Sequence, residues 1–386
     1  MKIFNLIYYS LCLKLYCLMR CLRPKEKLWV FGAWFGEKYF DNPRVLFEYV
    51  RAHRKDIKAV WITKDISIVN NKSILYLYSF RAFKAILYGE VFFVTHSKQL
   101  DLACFINDRF RKIIQLWHGI PIKKIGFDDN RISAITFLDR LRTSLFPFFR
   151  DRYAMVIASS EVDKKNMASA FGVNSQIVKV TGYPRNDLLF KASRSKKFKV
   201  LYAPTLRDKV DDEVNLFDGY GFQKDWIIKE LEKNDIFLDI KMHPANSVDK
   251  NFKKSVSSPV INFLESKIEI NEILGEYSIL ISDYSGIYVD YLLLDRPIIF
   301  APFDFEKYQK MDRELYFDYD SISPGPKCMN WLEVINWIKM FKEEPFLYSK
   351  EREKVKKIFH KYDDANSSAR VLAEVLQLVD RPLHAN

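Results

Sequence analysis

Cysteine is scarce and poorly placed for a scaffold. The 386-residue chain has five, Cys12, Cys17, Cys21, Cys104 and Cys328. An odd count argues against a disulfide framework, and no pair has the spacing of a zinc site. A reducing compartment is the expected setting. There is no Gly-x-x-x-x-Gly-Lys-Ser/Thr loop, which argues against a P-loop ATPase. No pair of carboxylates is placed for glycoside hydrolysis. Internal repeats and low-complexity linkers are missing too.

What is present is basic and aromatic. Lysine and arginine number 61 against 49 acidic residues, a net charge of +12, with 31 Phe and 21 Tyr. This is no disordered composition, and its length is enough to bury two cores. The charge favours anionic partners: nucleic acid, phosphorylated metabolites or an acidic lipid surface. The basic residues are spread along the chain and no RNA or DNA motif occurs, so nucleic acid is the weakest of these.

Residues 1–24 stand apart. Ile3 to Met19 is apolar, with Lys14 inside it and Lys2, Arg20 and Arg23 around it. No small-residue cleavage site follows, and the run is slightly short for a spanning helix. A helix lying in the membrane surface, its cations reaching headgroups, fits this pattern. The plainer alternative is a first core helix.

Beyond it, short continuous apolar runs alternate with helical patterns, as in parallel strands buried on both faces. Leu28–Ala33, Lys58–Thr63, Glu90–Ser97, Lys112–Trp117, Met155–Ser160 and Ile177–Gly182 read as strands, and Asn42-Pro43 opens a helix. A basic break spans 191–197, and a second series follows at Lys199–Thr205, Phe237–Pro244, Val260–Leu264, Ser278–Asp283 and Arg296–Phe303. Glu351–Leu378 reads as a helix pair. The expected architecture is α/β, with two Rossmann-like doubly wound domains, 25–195 and 196–386, facing across a cleft.

Polar motifs cluster where such folds place ligands, at strand ends. They are WHGIPIKK from Trp117, GYPRND from Gly182, APTLRD from Ala203, MHP from Met242 and SDYSG from Ser282. Ser285 is the expected N-cap of a helix whose free N–H groups suit a phosphate, and Gly286 permits close backbone approach. Asp290, one turn on, can accept from a sugar hydroxyl or orient a neighbour. His118 and His243 each end a strand, one per domain, and the ordinary pKa of histidine, near neutrality, suits proton transfer. Arg185 and Arg207 offer guanidinium forks for phosphate. His96 ends a strand without further support. His53, His360 and His384 read as surface, and Lys123 and Lys124 as a solvated basic face.

Together WHGIPIKKIGFD, GYPRND, VLYAPTLRD, KMHP, LISDYSGIYVDYLLLDRPIIF and FDFEKY, in that order, resemble the CDP-glycerol glycerophosphotransferase family of teichoic-acid and capsule synthesis. The likeness runs from about Leu28 to the C-terminus. It implies a GT-B type fold, peripheral attachment to the cytoplasmic face of the membrane, and transfer of glycerol phosphate from CDP-glycerol to a lipid-linked or polymeric glycan acceptor with release of CMP. It makes His118 the base and His243 a phosphate stabiliser or proton-transfer partner. Donor contacts are implied for Trp117, Gly119, Ile120, Pro121, Arg185, Pro204, Thr205, Lys241, Met242, Ser285, Gly286 and Asp290. No cofactor is required. A divalent metal ion is compatible with the chemistry, but nothing in the sequence indicates one. Gly286 replaces a serine common in the family, and Lys241 an arginine, so CDP-ribitol is an alternative donor. A nucleotide-sugar glycosyltransferase of the same fold is the alternative reaction.

Overall fold

The computed structural model describes residues 2–130, 145–205, 216–242, 250–265, 267–311 and 314–380. The chain divides into two compact units. Unit 1 comprises Met1–His118, Asn130–Asp187 and Asn366–Asn386, and unit 2 comprises Gly119–Asp129 and Leu188–Ala365.

Unit 1 is built on a seven-stranded parallel sheet. Its strands are β1 (Leu28–Phe31), β2 (Lys58–Thr63), β3 (Ile74–Tyr76), β4 (Val91–Val94), β5 (Lys112–Gln115), β6 (Met155–Ala158) and β7 (Val178–Val180). Their order is β3-β2-β1-β4-β5-β6-β7. Strands β1, β4 and β6 are buried at every position because helices cover both faces. Val30, Phe92 and Ile113 are fully enclosed, and each such side chain contributes about 1.5–3 kcal/mol. β3 was not visible in the sequence: it has three residues, only its middle one buried. Helices used below are α1 (Lys2–Cys21), α2 (Asp41–His53) and α3 (Lys98–Asp101).

Unit 2 carries a five-stranded parallel sheet of β8 (Phe198–Tyr202), β9 (Ile236–Ile240), β10 (Ile261–Phe263), β11 (Ile279–Ser282) and β12 (Ile298–Phe300), ordered β10-β9-β8-β11-β12. Trp331 anchors its core, with Nε1 donating to the Leu216 carbonyl. Here α4 is Ile287–Tyr291 and α5 is Ser349–Phe359, while α6 (Ser367–Asp380) belongs to unit 1. Both sheets have the Rossmann-like order in which strands are added outward on either side of the first.

The division is not sequential, unlike the expected 25–195 and 196–386. The GYPRND loop explains the return of α6. Asp187 accepts from the Ser367 and Ser368 N–H groups, both at 2.8 Å, neutralising free donors at the helix start. Arg370 Nε donates to the Thr181 carbonyl at 2.7 Å. Gly182, at φ +77°, must be glycine, since a Cβ there would lie 2.5 Å from Ser367 Oγ.

Among the described residues no helix is long and apolar enough to cross a membrane. α1 packs one face on unit 1: Cys12 and Met19 are buried, and Tyr9 meets Phe146, Phe148 and Phe149. Buried Arg111 holds its C-terminus, donating to the Met19 carbonyl at 2.7 Å. The opposite face exposes Ile7, Leu11 and Leu18, which lie on one stripe with exposed Lys14.

Candidate active site

The switch point of unit 1 lies between β1 and β4, where the strand order reverses. A doubly wound sheet binds ligands there, beyond the strand ends. Trp34 follows β1, His96 follows β4, and Trp117 and His118 follow β5. These four aromatic rings meet. His118 lies 3.9 Å from Trp117, 4.9 Å from His96 and 5.4 Å from Trp34, centroid to centroid.

The backbone here is strained. Trp34, Phe35, Asp41 and Trp117 all have positive φ, at 48°, 61°, 70° and 50°. Non-glycine residues take this region at a cost of about 1–3 kcal/mol each, and such residues cluster at active sites. Hydrogen bonds hold them. Buried Asn42 donates through Nδ2 to the carbonyls of Leu116 (3.1 Å) and Trp117 (3.0 Å), and its Oδ1 accepts the Arg185 N–H at 3.0 Å. Arg185 Nη1 donates to the His118 carbonyl at 2.6 Å and pairs with Asp41 at 3.3 Å. Asp41 also accepts from Trp34 Nε1. Thus α2 and the GYPRND loop clamp the histidine loop.

Burial pushes the His118 pKa down to about 3, with repulsion from His96 and Arg185 acting in the same direction. Asp101 and the Thr95 backbone oppose it. The imidazole is therefore held neutral, the form that accepts a proton.

Unit 2 has its own switch point, between β8 and β11. Pro204 and Thr205 follow β8, and the Thr205 N–H donates to both carboxylate oxygens of Asp283, at 3.0 and 3.1 Å. Lys241 and Met242 follow β9. Lys241 is buried, and its Nζ donates to the Glu265 carbonyl at 2.8 Å. Gly119, Ile120 and Pro121 are buried in this unit. The Ile120 carbonyl would lie 2.9 Å from a Cβ at Gly286, which accounts for glycine where a serine is common. His243 and Arg207 lie outside the described residues.

Four expectations change. Ser285 is not the N-cap: α4 starts one residue later than expected, with Gly286 in the cap position and no side-chain cap hydrogen bond. Asp290 is fully buried and accepts from Asn271 Nδ2 at 3.3 Å. It orients neighbours and offers no surface to a sugar hydroxyl. His360 is buried, not on the surface. At the end of α5 the chain turns inward, and Nε2 meets the Val289 carbonyl at 2.8 Å. The two lysines are also engaged: Lys123 hydrogen-bonds Tyr308, and Lys124 pairs with Glu314 at 2.5 Å.

The sequence did not reveal Trp34, Asp41, Asn42 and Asp101. Asn42 carried one signal, its place before proline at a helix start. Trp34 and Asp101 become neighbours of His118 only through the sheet order.

Comparison with known proteins gives the chemical context. The family model for CDP-glycerol:poly(glycerophosphate) glycerophosphotransferase matches residues 14–377. A teichoic acid poly(glycerol phosphate) polymerase of Bacillus spizizenii is 27% identical over 96% of this chain and 98% of its own. A teichoic acid poly(ribitol-phosphate) polymerase of the same species is 30% identical over 68% of this chain and 43% of its own. The solved wall teichoic acid polymerase TagF shares the fold, with a TM-score of 0.75, 23% identity, and coverage of 92% of this chain and 90% of that one. The chain therefore belongs to the CDP-glycerol:poly(glycerophosphate) glycerophosphotransferase family, and it is an enzyme of the teichoic acid glycerol-phosphate transferase and polymerase group.

Proposed function

We propose that the chain transfers glycerol phosphate from CDP-glycerol to a hydroxyl of a lipid-linked or polymeric glycan acceptor, releasing CMP, in synthesis of a teichoic-acid-like or capsular polymer. The observation that carries this reading is His118 itself, boxed by aromatic rings on a clamped, strained loop at a switch point.

The acceptor oxygen attacks the phosphorus that bears glycerol. The bond from that phosphorus to the bridging oxygen breaks, and CMP leaves. His118 takes the hydroxyl proton, a role worth about 10²–10⁴ in rate. The transition state is anionic, so the remaining work is positioning and charge stabilisation. Thr205, Lys241 and Gly286, at the strand ends of unit 2, are assigned to the donor, and His243 to its phosphate. No cofactor enters this reading.

The enzyme acts at the cytoplasmic face of the membrane as a peripheral protein. Support comes from α1, whose exposed Ile7, Leu11 and Leu18 share a stripe with Lys14. Apolar side chains with flanking cations suit an anionic lipid surface.

The poly(ribitol-phosphate) polymerase among the relatives favours CDP-ribitol as a second reading. Purified protein offered CDP-glycerol, CDP-ribitol and a sugar nucleotide in parallel, with membrane extract as acceptor, separates them. CMP from CDP-glycerol is the expected result. CMP from CDP-ribitol alone moves the assignment to the second reading. Nucleotide released only from the sugar donor overturns the phosphotransfer.

A further inference from the structure

Unit 1 holds a second histidine that the reaction above does not use. His96 follows β4, and its ring lies nearly parallel to His118, at 24° and 4.9 Å. Phe35 packs against it at 4.4 Å. Its Nδ1 is 3.0 Å from Thr95 Oγ1 and 3.5 Å from Asp101 Oδ1. Asp101 is 1% exposed, and its carboxylate accepts the N–H groups of Phe35 (2.9 Å), Thr95 (2.8 Å) and His96 (2.7 Å). Burial raises its pKa, yet the hydrogen bonds from His96 and the backbone outweigh this and hold it below the usual value. A fixed anion beside Nδ1 fixes the ring orientation.

We propose that His96, keyed by Asp101, is a positioning residue for His118: it fixes the plane of the His118 ring and opposes a second positive charge beside its own. The inference rests on the base role proposed for His118. Stacked rings do not share an in-plane hydrogen bond, so no proton passes directly between them. His96 acts through contact and charge. The groups that face this pair are Asp101 on α3, Arg185 with Asp41 behind the His118 carbonyl, and the Tyr153 hydroxyl on the His96 carbonyl. A charged His96 repels a proton from His118. Removing that charge raises the His118 pKa, and the acid limb of kcat moves to higher pH.

Two substitutions separate contact from charge. His96→Phe keeps a flat ring and loses the charge. His96→Asn loses both. His96→Asn is expected to lower kcat about 10- to 100-fold, with the donor KM within about threefold. His96→Phe is expected to recover most of the plateau kcat while its acid limb lies at higher pH than in the native enzyme. Native kcat and an unshifted pH profile in both variants overturn the inference. So does a loss in His96→Asn that disappears when the rate is expressed per folded molecule, measured by thermal unfolding. His118→Ala runs alongside. If it is fully active, the base reading falls and this inference with it. If it is inactive while both His96 variants behave as native, only this inference falls.

Discussion

Asn42 is the residue whose removal most directly tests the construction of the histidine loop. It is wholly buried, and its side chain makes three hydrogen bonds among the described residues, to the carbonyls of Leu116 and Trp117 and from the Arg185 N–H. A buried hydrogen bond contributes about 0.5–1.5 kcal/mol net, so Asn42→Ala removes about 3 kcal/mol. In a unit of this size each kcal/mol lowers Tm by about 2–4 °C, giving a fall of about 6–12 °C. Asn42→Asp retains the acceptor for Arg185 but turns a carboxylate oxygen toward two carbonyls. It is expected to be at least as damaging, although the volume is unchanged. Trp117, at φ 50°, loses one of the bonds that hold it, and a displacement of about 1 Å at a reacting group costs about 10²-fold in rate. Differential scanning calorimetry gives the first quantity and CMP release the second. A Tm within about 1 °C of the native value, with unchanged kcat, refutes the claim that Asn42 ties the loop down.

Gly286→Ala places a Cβ 2.9 Å from the Ile120 carbonyl. The clash involves backbone, so about 1–3 kcal/mol is lost, and donor KM is expected to rise; an unchanged Tm and KM contradicts this. His360 is buried, and burial lowers its pKa. Above the unfolded value near 6.5 both states are neutral. Below it the unfolded chain binds a proton that the native state refuses, so stability falls by up to about 1.4 kcal/mol per pH unit. Relative to His360→Gln, the native Tm advantage should shrink from pH 7 to pH 5, and a constant gap speaks against the buried neutral histidine. Leu11→Asp with Leu18→Asp should abolish sedimentation with anionic vesicles while retaining CMP release to a soluble acceptor. Undiminished vesicle binding removes the membrane role of α1.

Much of this architecture was legible because buried parallel strands write continuous apolar runs. Val91–Val94 and Ile279–Ser282 could hardly be read otherwise. The motif positions were legible for the same reason, since polar residues just after such runs sit at strand ends. Strand order was not legible, and with it went the neighbours of His118. His96 and Trp34 reach it because β1 and β4 are adjacent at the switch point, a pairing set by the whole sheet. His360 was misread because a charged helix describes its exposed face, and the residue that ends it follows different rules. The return of α6 to unit 1 depends on Asp187, whose role as a cap for a helix 180 residues away leaves no local signature.

If His118 serves a phosphotransfer from CDP-glycerol, its removal must slow that transfer. The deciding comparison is of native enzyme and His118→Ala at saturating donor, with CMP released measured against glycerol phosphate gained by the acceptor. One CMP is expected per glycerol phosphate transferred, with a rate lower by about 10²–10⁴ in a variant that melts normally. Equal rates in the two proteins, or CMP without glycerol phosphate on the acceptor, would contradict this assignment.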